Sequence, residues 1–258
     1  MRCSGWMAVR TAVPAVALAL MAAPTAQAAT IGPDAFGYRA TDEVRFVFQD
    51  ISGTGTRVLA GTDDSTAAAA IGFTFTFYGA GFASVNIASN GLLTFGGTNT
   101  SFANVNFETT ATSGDRPSIA PFWDDLEFLT AGTDAVYHQT VGAPGNQAFI
   151  VQWNQARPFG APTSPTATFQ VILSESGSFL FNYLNTPPSN GASATVGIRD
   201  TAGQSNGRRL QWSFNQGVLG AEESVLFTPG DPVPEPMTML LLGTGLAGFA
   251  ARARRRRS

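Results

Sequence analysis

Lysine is absent from this 258-residue chain, and cysteine and histidine occur once each, as Cys3 and His138. Each scarcity closes off a chemistry. A lone cysteine excludes an intrachain disulfide and a multi-thiolate zinc site. Cys3 also precedes the apolar core of the N-terminal leader rather than following it, so it is not the acylated cysteine of a lipoprotein. One histidine cannot build a multi-histidine metal centre. A Ser-His-Asp hydrolase would have to use His138, and the chain has no G-x-S-x-G elbow. In "VYHQ", His138 is expected on the solvent side of a strand. Amphipathic helices of convincing length are also lacking; "STAAAAIG" at 65–72 is the one helix-friendly patch.

Charge is scarce and unevenly placed. The net charge of −3 conceals a middle, residues 29–233, in which eight arginines face 17 acids for a net charge of −9. An acidic body repels phosphate backbones, which argues against nucleic acid as a partner. The positive charge sits at the tips, with Arg2 and Arg10 at one end and Arg252, Arg254, Arg255, Arg256 and Arg257 at the other.

What is present at the N-terminus is an export leader. Arg2 and Arg10 precede an apolar core over about Ala12–Ala23, and Ala26-Gln27-Ala28 supplies the small residues that signal peptidase accepts. Residues 1–28 therefore read as a signal peptide cut after Ala28. The short core, broken by Pro14 and Pro24, argues against a membrane anchor. At the other end, Met237–Ala251 is an apolar run of 15 residues. As a helix it would cover about 22 Å, short of the roughly 30 Å hydrocarbon layer. The arginines at 252–258 mark a cytoplasmic side. Residues 229–236, rich in proline, read as a spacer. Gly243, Gly245 and Gly248 fit G-x-G-x-x-G, but without a preceding strand they read as small residues for helix packing.

Between the tips the pattern has a period of two. "FTFTF" sets Phe73, Phe75 and Phe77 against Thr74 and Thr76; "FLFNY" and "LQWSF" repeat the alternation, and "FQVIL" does so with Ile172 apolar on the opposite face. Turn signals such as Asn90-Gly91, which tolerates the positive φ of a tight hairpin, separate the runs. Strands are expected near 44–51, 71–78, 84–88, 92–96, 117–123, 134–139, 147–154, 166–173, 178–184, 193–199, 208–214 and 223–228. The fold class is all-β: a single antiparallel β-sandwich of about ten to twelve strands over 29–228, with a closed barrel as the alternative. "RPFGAPTSP", 157–165, is expected to be an exposed loop.

Two stretches carry resemblances. Pro234-Glu235-Pro236, a short apolar segment and the cluster Arg254, Arg255, Arg256 and Arg257 resemble the PEP-CTERM sorting signal of Gram-negative bacteria. The resemblance implies transient anchoring in the inner membrane and removal of the tail by an exosortase during delivery to the surface. A permanent tail anchor is the alternative. The ordered series "FYGAGFASVNIASNGLLTFGG", "SIAPFWDDLEF", "AVYHQ", "FIVQWNQ" and "TFQVILSESGSFLFNY", about 71–184, is similar to the extracellular nidogen-like β domain. That likeness implies an extracellular, noncatalytic adhesion or matrix module. The cysteine-rich modules that accompany the domain in animal matrix proteins have no counterpart here.

Candidate chemistry gathers in "WDDLE". Asp124, Asp125 and Glu127 are candidate calcium ligands, because calcium favours several carboxylate and carbonyl oxygens. Asp63 and Asp64 would contribute if the fold brought them close. Alternatively, these acids cap a loop while Phe122 and Trp123 are buried. No other cofactor is expected. A carbohydrate-active enzyme or lectin, using two among Asp124, Asp125, Glu127, Glu108 and Glu175, is the competing reading. Trp123, Trp153 and Trp212 are expected in the core rather than on a sugar-stacking platform. The resulting expectation is an exported, nonenzymatic surface or matrix protein that binds exopolysaccharide, with signal peptidase and exosortase as partners during export.

Overall fold

The computed structural model describes residues 29–110, 116–129, 132–186, 189–201 and 206–230. Residues 1–28, expected to be a signal peptide, the 237–251 segment and the arginine tip lie outside these. The described residues form two antiparallel sheets that face each other, so the architecture is a sandwich and not a closed barrel. The larger sheet contains β1 (Thr30–Ile31), β2 (Arg39–Thr41), β3 (Thr56–Val58), β9 (Ala135–Val141), β10 (Ala148–Pro158), β11 (Ala167–Ser174), β12 (Phe179–Asn185) and β15 (Glu223–Thr228). Its order is β1-β2-β15-β12-β11-β10-β9-β3, with the short β8 (Leu126–Glu127) paired to the end of β10. The smaller sheet contains β4 (Thr66–Phe77), β5 (Ala80–Ala88), β6 (Leu92–Thr94), β7 (Ser118–Trp123), β13 (Thr195–Arg199) and β14 (Arg209–Phe214), in the order β14-β13-β7-β6-β5-β4.

The alternation seen in the sequence sorts side chains between the faces. Phe75 and Phe77 of the small sheet meet Phe179 of the large one, and Phe179 stacks on Phe227 at 5.0 Å. Trp153 lies flat against Phe169, with ring centroids 5.1 Å apart and planes 11° off parallel. Both are fully buried. Each such side chain contributes roughly 1.5–3 kcal/mol of burial, and offset or edge-to-face contacts add to it.

Local propensity is overruled at one place. The alanine-rich stretch at 65–72 is not helical; it opens the 12-residue β4, where Ala69 and Ile71 point inward and Ala68 and Ala70 outward. Pairing with β5 and burial of alternate residues outweigh a helix preference of a few tenths of a kcal/mol per residue.

The segment expected as a strand near 44–51 is also different. It has no strand partner and runs across the outer face of the large sheet, held by side-chain amides. Gln170 donates from Nε2 to the Gln49 carbonyl (3.0 Å) and accepts from the Gln49 N–H (3.2 Å). Gln152 Oε1 accepts the Ile51 N–H (2.9 Å), while its Nε2 donates to Asp50 (2.9 Å). Gln152 and Gln170 are register partners on β10 and β11. The row continues through Asn182, which donates to Gln170, and Ser224, which donates to Asn182. All four are buried. Ile51 completes the cover by packing on Ala135, Tyr137 and Ile150. A buried amide without a partner is costly, so row and strap specify each other. Gln170→Ala should lower stability by about 1–3 kcal/mol, because it strands the Gln49 amide and Asn182. Urea denaturation measures that loss, and protease cleavage within 44–51 should quicken.

Candidate functional site

The acidic site forms where the chain passes from one sheet to the other. β7 belongs to the small sheet and β8 pairs with β10 of the large one, so Asp124-Asp125 is the two-residue link between the layers. The Ser89–Gly91 turn between β5 and β6 lies against this link. Asn90 is fully buried, and of the Asn90-Gly91 pair only Gly91 takes a positive φ, 71°. Asn90 uses its backbone and both ends of its side chain. Its carbonyl accepts the Asp124 N–H (3.3 Å), its Oδ1 accepts the Leu126 N–H (3.0 Å), and its Nδ2 donates to Asp64 Oδ1 (2.7 Å). Gly91 has no alternative: a Cβ there would lie 1.9 Å from the Phe122 carbonyl oxygen.

The loop before β4 supplies the remaining acids. Ser65 and Ser89 exchange bonds, with the Ser65 N–H donating to Ser89 Oγ and the Ser89 N–H to the Ser65 carbonyl. The Phe128 N–H donates to the Thr62 carbonyl, tying the loop to the strand after the link. As a result, Asp63, Asp64 and Asp125 each present a carboxylate oxygen within 4.8 Å of the others. The two aspartates that the sequence offered conditionally are thus brought to the site.

The three residues of "WDDLE" divide. Asp125 joins the cluster. Asp124 turns away: its Oδ2 accepts from Ser193 (2.6 Å) and its Oδ1 from the Asp125 N–H (2.9 Å), while burial raises its pKa. Loop capping, the alternative reading of these acids, describes Asp124. Glu127 is outside the triad but near enough for its charge to raise both Asp63 and Asp125. Partial desolvation is the leading cause of each shift, followed by repulsion from neighbouring carboxylates. Asp63 Oδ1 is sequestered from solvent without a hydrogen-bond partner. Three oxygens at this spacing fit one hard cation with ligand distances of about 2.3–2.6 Å, and the partnerless Asp63 oxygen suits a metal ligand. Asp63, Asp64 and Asp125 would hold calcium here, with its remaining positions left to carbonyl oxygen and water.

Other candidates do not converge. Glu108 is bonded to Arg209 on β14 (2.8 Å), and Glu175 caps the Gln147 N–H (2.9 Å) beyond the end of β11. Neither joins the aspartate cluster to form a carboxylate pair across a cleft. His138 is half-buried, and its expected solvent-side position is corrected: it shares the inward face of β9 with Val136, with its ring 5.7 Å from that of Phe149. Burial lowers its pKa. Trp123 and Trp153 are core residues as expected, their indole N–H groups donating to Ser101 and Ala88 carbonyls, whereas Trp212 is only partly buried. The "RPFGAPTSP" stretch is an exposed loop only from Phe159 onward; Arg157 is buried in an ion pair with Asp134 (2.6 Å). Among the described residues no helix is long and apolar enough to cross a membrane, and the sorting residues Pro234, Glu235, Pro236 and Arg254–Arg257 lie outside them.

Comparison with known proteins fits this geometry. A family model described as NIDO related matches residues 37–223, a wider span than the similarity at 71–184. A model of the PEP-CTERM protein-sorting motif matches residues 232–256. Alpha-tectorin of Mus musculus is 26% identical over 180 residues, and that of Homo sapiens 25% over 181. Each match covers 62% of this chain and 8% of the tectorin, so the chain spans a small part of these relatives. No solved structure matches.

Two measurements test the site. Raised carboxylate pKa values mean that the folded state holds these protons more tightly than the unfolded state. Without a cation, the cluster's destabilising effect is therefore absent below the ordinary aspartate value near 3.8 and develops as pH rises through the raised values. Added calcium should raise the melting temperature at pH 7 and have little effect at pH 4, and Asp63→Asn should weaken the response. Separately, Asn90→Ala should cost about 1–3 kcal/mol in urea denaturation, because it strands the buried Leu126 N–H.

Proposed function

Because the chain belongs to the NIDO-related family and ends its β-sandwich just ahead of a PEP-CTERM protein-sorting motif, we propose that it is a noncatalytic structural or adhesive module of the cell surface that contacts extracellular polysaccharide. The motif itself implies an exported protein processed by an exosortase within a sorting system. The single observation that carries the reading is this order along the chain: the last strand closes at Thr228, and the motif match begins four residues later, at 232. Among the described residues every strand thus lies before the tail, so removing the tail takes none of these strands.

In this reading residues 1–28 direct export and are cut after Ala28. Residues 229–236 form the spacer, 237–251 hold the protein in the inner membrane until sorting, and 252–258 stay on the cytoplasmic side. The body then acts by noncovalent recognition. Support comes from its paired sheets, which bury most of the aromatic residues, and from the acidic cluster, through which calcium would bridge to other anionic chains at Asp63, Asp64 and Asp125.

Cell fractionation of the native host tests delivery. Wild-type protein should reach the outer surface without residues 1–28 or the arginine tip. Glu235→Ala and deletion of 254–257 should each leave it in the inner membrane at higher mass. Co-sedimentation with the host's extracellular polysaccharide should be saturable and release no sugar. Sugar release that disappears in Asp125→Asn would replace this reading with a carbohydrate-active enzyme.

A further inference from the structure

We propose that the ammonium group created when the leader is cut after Ala28 is received by Asp42, so that removal of the leader fastens the outer edge of the large sheet. The inference rests on residues 1–28 being a cleaved leader, and extends that reading to a defined receiving site on the folded body. The Ala29 nitrogen lies 2.6 Å from Asp42 Oδ1, and the Asp42 N–H donates back to the Ala29 carbonyl (3.2 Å). This reciprocal pair continues the register in which Thr30 faces Thr41 and Ile31 faces Ala40.

The edge it closes has little else to hold it. β1 contributes two residues, and beyond its backbone pairing it has one exposed hydroxyl contact, Thr30 to Thr41 (3.0 Å), and the partly buried Ile31 against the core. Ala29 and Asp42 border a groove of about 320 Å³ with Ile31, Trp212, Gln216 and Glu223. Asp42 and Glu223 are the titratable side chains of its lining, and no arginine lines it. A positive charge placed at Ala29 therefore meets Asp42, in a groove whose other acid, Glu223, accepts the Gly220 N–H (2.7 Å) and whose lining holds no cation.

Cleavage supplies that charge. Hydrolysis breaks the Ala28–Ala29 C–N bond; the hydroxyl of water goes to the Ala28 carbonyl carbon and its hydrogen to the Ala29 nitrogen. The new acid gives up its proton, leaving a carboxylate on the departing leader and an ammonium on Ala29. One neutral amide donor becomes three charged ones beside a carboxylate, and such charge-assisted bonds are roughly twice as strong as neutral ones. The site also reads position, because a chain beginning one residue earlier carries its charge one residue away from Asp42.

The test uses the chain Ala29–Ser258 in detergent, prepared with a free N-terminus, with an acetylated one, and with Ala28 retained. At pH 6 the free Ala29 form should melt about 1–4 °C above both others. Pairing with Asp42 raises the folded pKa of the amine, so the advantage is fully present below the ordinary α-amino value of about 7.7–8.0. It is lost as pH rises through the folded value, and by pH 10 the three forms should agree. Asp42→Asn should erase the difference at pH 6 as well. Equal melting of the free and acetylated forms at pH 6 would overturn the clamp. A native mature protein that begins elsewhere than Ala29 would overturn the leader reading instead, and mass spectrometry distinguishes the two failures.

Discussion

The sandwich depends on one buried amide. The chain must cross between sheets at Asp124-Asp125, and a crossing leaves peptide groups that neither sheet can satisfy. Asn90 satisfies them, accepting the Asp124 N–H with its carbonyl and the Leu126 N–H with its side chain. A second contact makes the fit tight, because Gly91 brings bare backbone against the Phe122 carbonyl where no side chain could enter. The two most distinctive stretches of the sequence, S-N-G and A-P-F-W-D-D, are thus the two halves of one joint. Tyr183 reinforces it from the other sheet by donating to the Pro121 carbonyl (2.7 Å).

That joint also creates the chemistry. Because the Asn90 Nδ2 holds Asp64, and the link itself carries Asp125, the groups that solve a backbone problem bring acids together beside it. Nearby carboxylates repel, and the raised pKa values of Asp63 and Asp125 register that repulsion together with partial desolvation. A cation would relieve both. The same layout explains why Asp124, adjacent to Asp125 in sequence, serves another purpose. Successive residues at an extended crossing point in opposite directions, so one aspartate faces the cluster and the other bonds Ser193.

On the far side of the large sheet the logic is again one of satisfied polar groups. An antiparallel sheet can leave one face to water, yet here Gln152, Gln170, Asn182 and Ser224 are buried. They remain favourable because each finds a partner in the row or in the strap over it. The sheet is therefore covered on both faces at its centre, which accounts for the near-continuous burial of β10 and β11. The ion pair of Arg157 with Asp134 serves a similar end near the close of β10, where the guanidinium also reaches the Pro162 carbonyl (2.8 Å).

The sequence by itself determined the fold class, most strand positions and the sorting motif. Period-two alternation reports which face of a strand is buried, and a sorting motif acts as a linear string. Phe179, Phe181 and Tyr183 needed no fold to be recognised as one buried face. Tertiary structure alone decided where side chains serve distant backbone. Gln49 and Gln170 are 121 residues apart, and Asp63 and Asp125 are 62 apart; no local pattern encodes such meetings. The same reason underlies the misread segments. At 44–51 the apolar alternation suited a strand, but the available partners were glutamine side chains. At 65–72 the alanines suited a helix, but the neighbouring β5 offered a ladder. His138 could be placed on β9 from the sequence, but only the register with Val151 set which way its ring points. Local pattern fixes which residues need burial, while pairing between remote strands fixes which polar groups they meet.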